Sequence, residues 1–124
     1  MLKKILCILI ISVGFILSAH TGEFDNVINN NENVFLYLYT KNCSYCIKFN
    51  PIYNKIAKKY SNNYKFIKID ADSAYGSSLM RDIQAHYVPY VVIFNHSKQV
   101  VKSIEPICLL SYACTQYELE KFVR

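Results

Sequence analysis

Residues Val34 to Thr40 (V-F-L-Y-L-Y-T) run into Cys43-Ser44-Tyr45-Cys46, and a helical pattern continues from Ser44 to about Tyr60. No other stretch constrains the chain as much. The apolar run alternates too little for a half-exposed strand, so it reads as buried on both faces, which favours a central, parallel strand. The cysteines lie where that strand hands over to a helix. A helix N-terminus offers unpaired N–H groups and the positive end of the macrodipole, and both favour an anion. A thiol placed there ionises more readily, and the thiolate is the form that attacks disulfides. Cys46, one turn further in, is near enough to close a ring on Cys43. This is the geometry of a dithiol redox centre, with Cys43 as nucleophile and Cys46 as resolving thiol.

The 124 residues give room for one domain, and 52% hydrophobic with 19% charged residues indicates a folded rather than a disordered chain. Met1-Leu2-Lys3-Lys4 is a short basic region, Ile5 to Ala19 is apolar apart from Ser12 and Ser18, and Thr21-Gly22-Glu23 returns to polar composition. That pattern predicts a secretory signal over residues 1–19 and a single domain over 20–124. The run is short for a bilayer span of about 20 residues. An uncleaved membrane anchor is the alternative, because no sharp small-x-small cleavage site is present. Cys7 has too little apolar sequence before it to be a lipid-attachment cysteine. Without Lys3 and Lys4 the formal charge falls from +5 to +3. Lys55, Lys58 and Lys59 read as the solvated face of a helix, so no nucleic-acid partner is expected.

Four cysteines then remain: Cys43, Cys46, Cys108 and Cys114. Export permits disulfides, and if Cys43 pairs with Cys46, the other two are left for each other. They flank Leu109 to Ala113. A staple for an irregular loop is the plain reading of that bond, and a relay to Cys43/Cys46 is the sharper one. Four cysteines also raise structural zinc, but the second pair lies in apolar Ile107-Cys108-Leu109-Leu110 rather than in the short polar turns of zinc knuckles. No metal or organic cofactor is expected.

Around these residues the predicted order is α-β-α-β-α-β-β-α. A short helix covers Glu23 to Asn31 with Phe24, Val27 and Ile28 on one side. The helix after the cysteines repeats Phe49, Ile52, Tyr53, Ile56 and Tyr60 at three- and four-residue steps, with Pro51 inside it. Tyr64 to Asp70 is a second strand reached by a right-handed crossover. Asp72-Ser73 caps a helix from Ala74 to Ala85, with Leu79, Met80 and Ile83 inward. Tyr90 to Phe94 is a buried strand, Asn95 to Lys98 a turn, and Gln99 to Ile104 the closing hairpin strand. Thr115-x-x-Glu118 predicts a capping box that opens a last helix through Phe122.

Over about residues 24 to 124 the chain resembles the thioredoxin superfamily. The features that carry the resemblance are a strand, the pair Cys43/Cys46, Pro51 five residues past the second cysteine, the strand end Ile69-Asp70, and Tyr87-Val88-Pro89 before an apolar strand. The resemblance implies a single-domain thioredoxin-like α/β fold, with a central four-stranded mixed sheet flanked by helices. It also implies a cis peptide bond before Pro89, facing the dithiol, and a substrate-binding edge made by Val88, Pro89 and Tyr90 with Tyr45 beside it. The segment between Cys108 and Cys114 resembles one wall of the substrate groove. Departures are as informative. Ser44-Tyr45 replaces the Gly-Pro of thioredoxins proper, and Tyr37 stands where a buried acid is usual. Tyr45 before the second cysteine is similar to glutaredoxins and periplasmic disulfide isomerases, and Val88 before the proline to the oxidising Dsb enzymes.

The expectation is therefore an exported, monomeric thiol–disulfide oxidoreductase of an extracytoplasmic, periplasm-like compartment, acting on protein thiols and disulfides and on a redox partner protein. Membrane contact is expected only through an uncleaved N-terminal anchor. The competing expectation is a non-catalytic binding module in which the Cys43–Cys46 bond is only a staple.

Overall fold

The structure, a computed structural model, describes residues 23–29, 33–95 and 100–123. The expected signal over residues 1–19, the expected helix end at Asn31, the expected turn at His96 to Lys98 and the expected strand start at Gln99 lie outside the described residues. The elements are α1 (Glu23–Asn29), β1 (Val34–Tyr39), α2 (Ser44–Lys59), β2 (Lys65–Asp70), α3 (Ala74–Asp82), β3 (Tyr90–Phe94), β4 (Val100–Ile104), α4 (Pro106–Leu109) and α5 (Tyr112–Glu120).

Four strands form one mixed sheet in the order β2-β1-β3-β4. β1 pairs in parallel with β2, and antiparallel with β3, which also pairs antiparallel with β4. Val34 to Leu38 are fully buried, as the unbroken apolar run requires of a strand covered on both faces. Successive side chains point to opposite faces and so divide the core in two. Phe35, Tyr37, Val91, Ile93 and Ile104 pack with α2, α4 and α5. Val34, Leu36, Leu38, Ile67, Ile69, Val92 and Phe94 pack with α1 and α3. This is the thioredoxin-like arrangement, a four-stranded mixed sheet between helices.

Three local features differ from the sequence expectation. α3 ends at Asp82, not Ala85, because Gln84 takes a left-handed conformation, φ 58°. Its N–H donates to Arg81 O and that of Ala85 to Met80 O, the paired bonds that close a helix after a left-handed residue. The last helix starts three residues before Thr115: Ser111 is the N-cap, its Oγ accepting from Cys114 N. Thr115 is fully buried inside α5, with its hydroxyl 2.9 Å from Ser111 O and 3.1 Å from Cys108 O. Glu118, the expected partner in a capping box, instead meets Lys121 at 3.1 Å and Lys102 at 3.8 Å. Finally, Pro106 opens the extra short helix α4, where its missing N–H costs nothing.

Gly76 sits in the first turn of α3, and a Cβ there would collide with Asp70 O at the end of β2. Ser73 caps this helix, with its Oγ accepting from Gly76 N at 2.9 Å. The close approach of α3 to β2 therefore depends on a residue without a side chain.

Candidate active site

β1 ends at Tyr39 and the chain turns through Lys41 and Asn42 before α2 begins. Cys43 is the N-cap of α2 in extended conformation, and its Sγ accepts the N–H of Cys46 across 3.1 Å. No acidic side chain occupies the first turn of α2, so the positive helix end acts on that sulfur unopposed from its own helix. Cys43 and Cys46 form a disulfide with Cα atoms 5.1 Å apart. Their exposure differs. Cys43 is half-buried at the mouth of the helix, whereas Cys46 is 0% exposed and belongs to the core.

Cys43 borders a shallow depression with Thr40, Asn42, Ser44, Tyr45 and Val88. The Val88–Pro89 peptide bond is cis, with Pro89 buried and Val88 half-buried. Cys43 and Val88, 45 positions apart in sequence, are brought to one edge because β3 lies beside β1, with Tyr90 opposite Leu38. Tyr45 is 43% exposed, with the Lys48 ammonium 5.9 Å from its ring centre. Tyr90 behaves differently from Val88: its side chain packs with the cluster on the α1/α3 face and against Tyr87, ring centres 5.4 Å apart. His86 is exposed beside this loop.

Cys108 and Cys114 are joined by a disulfide, Cα atoms 5.3 Å apart. It links α4 to the first turn of α5 and rests on the same core cluster as Cys46.

One part of the site had no expected role. Tyr37 is fully buried in β1, and its hydroxyl lies 2.9 Å from Asn50 Oδ1 and 3.3 Å from Cys46 O. Burial, reinforced by the neighbouring phenols of Tyr39 and Tyr53, pushes its pKa far above the usual tyrosine value, so the hydroxyl is a neutral donor. The available signal was a tyrosine inside an apolar strand, since a buried phenol needs a partner.

The thioredoxin family model matches residues 15–109. The chain belongs to the thioredoxin family. With its Cys-x-x-Cys pair at bonding distance it is a thiol–disulfide oxidoreductase. Among solved structures, it is similar to oxidised thioredoxin from Plasmodium falciparum (22% identity, TM-score 0.70, covering 85% of this chain and 94% of that one). It is similar too to a thioredoxin variant from Halobacterium salinarum (21%, 0.71, 85% and 87%). A third is oxidised mitochondrial thioredoxin 3 from Saccharomyces cerevisiae (19%, 0.67, 80% and 87%). At these identities the solved structures speak for the fold. No curated protein sequence matches the chain.

Proposed function

We propose that this thioredoxin-family chain is exported and exchanges disulfides with protein partners in an extracytoplasmic, periplasm-like compartment. Cys43 forms the mixed disulfide and Cys46 resolves it. The observation that carries this division of labour is the contrast between a half-buried N-cap sulfur, accepting an N–H, and a second sulfur closed inside the core. A partner cysteine reaches Cys43 through the depression bordered by Tyr45 and Val88, and the backbone before Pro89 offers an edge to the partner's extended chain. The basic-then-apolar start of the sequence supports export, and an exporting compartment permits the second disulfide. Whether the net flow is oxidising, isomerising or reducing is set by the electron partner of that compartment as much as by the site.

In turnover, the Cys43 thiolate attacks a partner disulfide, forming the Cys43–partner bond and expelling one partner thiolate. Cys46, as thiolate, then attacks Cys43 Sγ. The Cys43–Cys46 bond forms, the second partner sulfur leaves, and two electrons have passed to the partner. The reverse sequence oxidises a partner dithiol.

Titration of the full chain against mixtures of reduced and oxidised glutathione, with thiols trapped by alkylation, tests the redox role. Reversible opening and closing of Cys43–Cys46 is expected. A bond that stays closed throughout would make it a staple and the chain a binding module. Fusing residues 1–22 to a reporter that is active only after translocation tests export, and a silent reporter would remove that part of the reading.

A further inference from the structure

We infer that Tyr37 and Asn50 form a positioning pair for the resolving cysteine, holding the Cys46 backbone so that its sulfur is aimed at Cys43. The inference rests on the assignment of Cys46 as resolving thiol and adds to it the residues that aim it.

The argument begins with what fixes Tyr37. It occupies the middle of the central strand, opposite Lys68 on β2 and Val91 on β3. Its ring meets Phe49 edge-on with centres 4.9 Å apart, Tyr53 at 5.2 Å and Tyr39 at 5.8 Å, and the Lys68 ammonium stands 5.6 Å from its centre. A ring enclosed on these sides has little freedom, so its hydroxyl is a fixed point beneath α2.

From that point the hydroxyl reaches two groups one helical turn apart. It donates to Asn50 Oδ1 at 2.9 Å, and Cys46 O lies 3.3 Å away as a second acceptor. Helix geometry makes Cys46 O the acceptor for the backbone N–H of Asn50 as well, since the two are four residues apart. Asn50 is half-buried, so its side chain closes the polar pair from the side. Cys46 is therefore held at both ends of its backbone. Its N–H is committed to Cys43 Sγ, and its carbonyl faces the Tyr37 hydroxyl.

Alignment matters because resolution is an intramolecular displacement at sulfur. Cys46 Sγ must approach along the line of the bond between Cys43 and the partner sulfur, and a displacement of about 1 Å from the reactive geometry can cost about 100-fold in rate. The proton released by Cys46 ends on the departing partner thiolate, and Tyr37 remains neutral throughout. Its contribution is a hydrogen bond to the helix turn that carries the resolving thiol.

The test uses the reduced full chain with oxidised glutathione as the probe, stopped by acid at intervals. Peptide mapping follows glutathione bound at Cys43. Tyr37→Phe keeps the ring and removes the hydroxyl, and Asn50→Ala removes the acceptor without touching the strand. Each is expected to prolong the Cys43–glutathione intermediate roughly 5- to 20-fold, while its rate of formation stays within about twofold. Because the two act as one unit, the double variant should be no slower than the slower single variant. Wild-type resolution rates in both variants, with only a lowered melting temperature, would reduce the pair to a packing feature and overturn the inference. Additive slowing in the double variant would overturn the pairing. If Tyr37→Phe fails to fold, Asn50→Ala decides the matter by itself. A wild-type chain that never forms or resolves the intermediate overturns the underlying redox assignment instead, so the two failures look different.

Discussion

The backbone N–H of Cys46 donates to the Sγ of Cys43, 3.1 Å away, so in the proposed reaction the resolving residue also supplies a hydrogen bond to the nucleophile. The bond exists because Cys43 occupies the N-cap of α2, where a side-chain acceptor satisfies an otherwise unpaired first-turn donor. After reduction the same donor faces a thiolate, and a hydrogen bond to the charged form favours it.

Cys43 should consequently be the thiol that reacts first. In reduced protein treated with iodoacetamide across a pH series, labelling of Cys43 is expected to lead that of fully buried Cys46 by roughly 10-fold or more near neutral pH. Peptide mapping reads the order directly, and earlier labelling at Cys46 would reverse the assignment.

The potential should lie between thioredoxin, at about −270 mV, and the strongest periplasmic oxidant, at about −120 mV. The motivation is the sequence between the cysteines, Ser44-Tyr45, together with neutral Tyr37 under Cys46. Equilibration with glutathione gives the number. A value at or below that of thioredoxin would contradict the expectation.

Closing the ring between Cys108 and Cys114 should contribute about 2–2.5 kcal/mol on the chain-entropy estimate. The double variant Cys108→Ser/Cys114→Ser is expected to lose about that much in urea unfolding while turnover through Cys43/Cys46 is kept. Loss of turnover with little loss of stability would instead indicate a relay between the two cysteine pairs.

Gly76→Ala should destabilise by about 1–3 kcal/mol, the usual penalty for forcing extra volume into a packed contact. The added methyl meets the backbone oxygen of Asp70, which cannot rotate away as a side chain can. Urea unfolding measures it, and a neutral result would mean that α3 moves freely off β2.

Alkaline pH should unfold the protein progressively. Tyr64 is pushed up to about 12 by burial and then by neighbouring Tyr60, and its hydroxyl donates to Leu119 O at 2.8 Å. A group whose folded pKa is raised keeps its proton in the native state while the unfolded chain loses it. Stability is thus full below about pH 10 and falls by about 1.4 kcal/mol per pH unit for each such tyrosine as pH climbs toward the folded value. Urea midpoints at pH 9, 10 and 11 should show the decline, with Tyr64→Phe shallower by about one proton. Equal slopes in the two proteins would discount Tyr64.

Much of the site is written locally. Cys43 and Cys46 follow an apolar strand and open an amphipathic helix, and a capping position with a thiol one turn on needs only neighbours in sequence to specify it. Local signals failed where several polar groups could serve the same end. Both Ser111 and Thr115 have the chemistry of a cap, and burial of Thr115 against Cys108 O made Ser111 the one used. At Gln84 the side chain gives no hint of a left-handed turn, which is imposed by the bonds that close α3.

The sequence by itself determined the strand–dithiol–helix unit, the central position of β1 and the two-faced burial of the sheet, because hydrophobic period and helix-terminal chemistry act over a few residues. The meeting of Val88 with Cys43, and of the Tyr37 hydroxyl with Cys46 and Asn50, was decided only by tertiary structure. Those contacts depend on β3 lying beside β1 and on α2 crossing one face of the sheet. Pairing and packing of that kind are collective properties of the whole core, and no single stretch of sequence carries them.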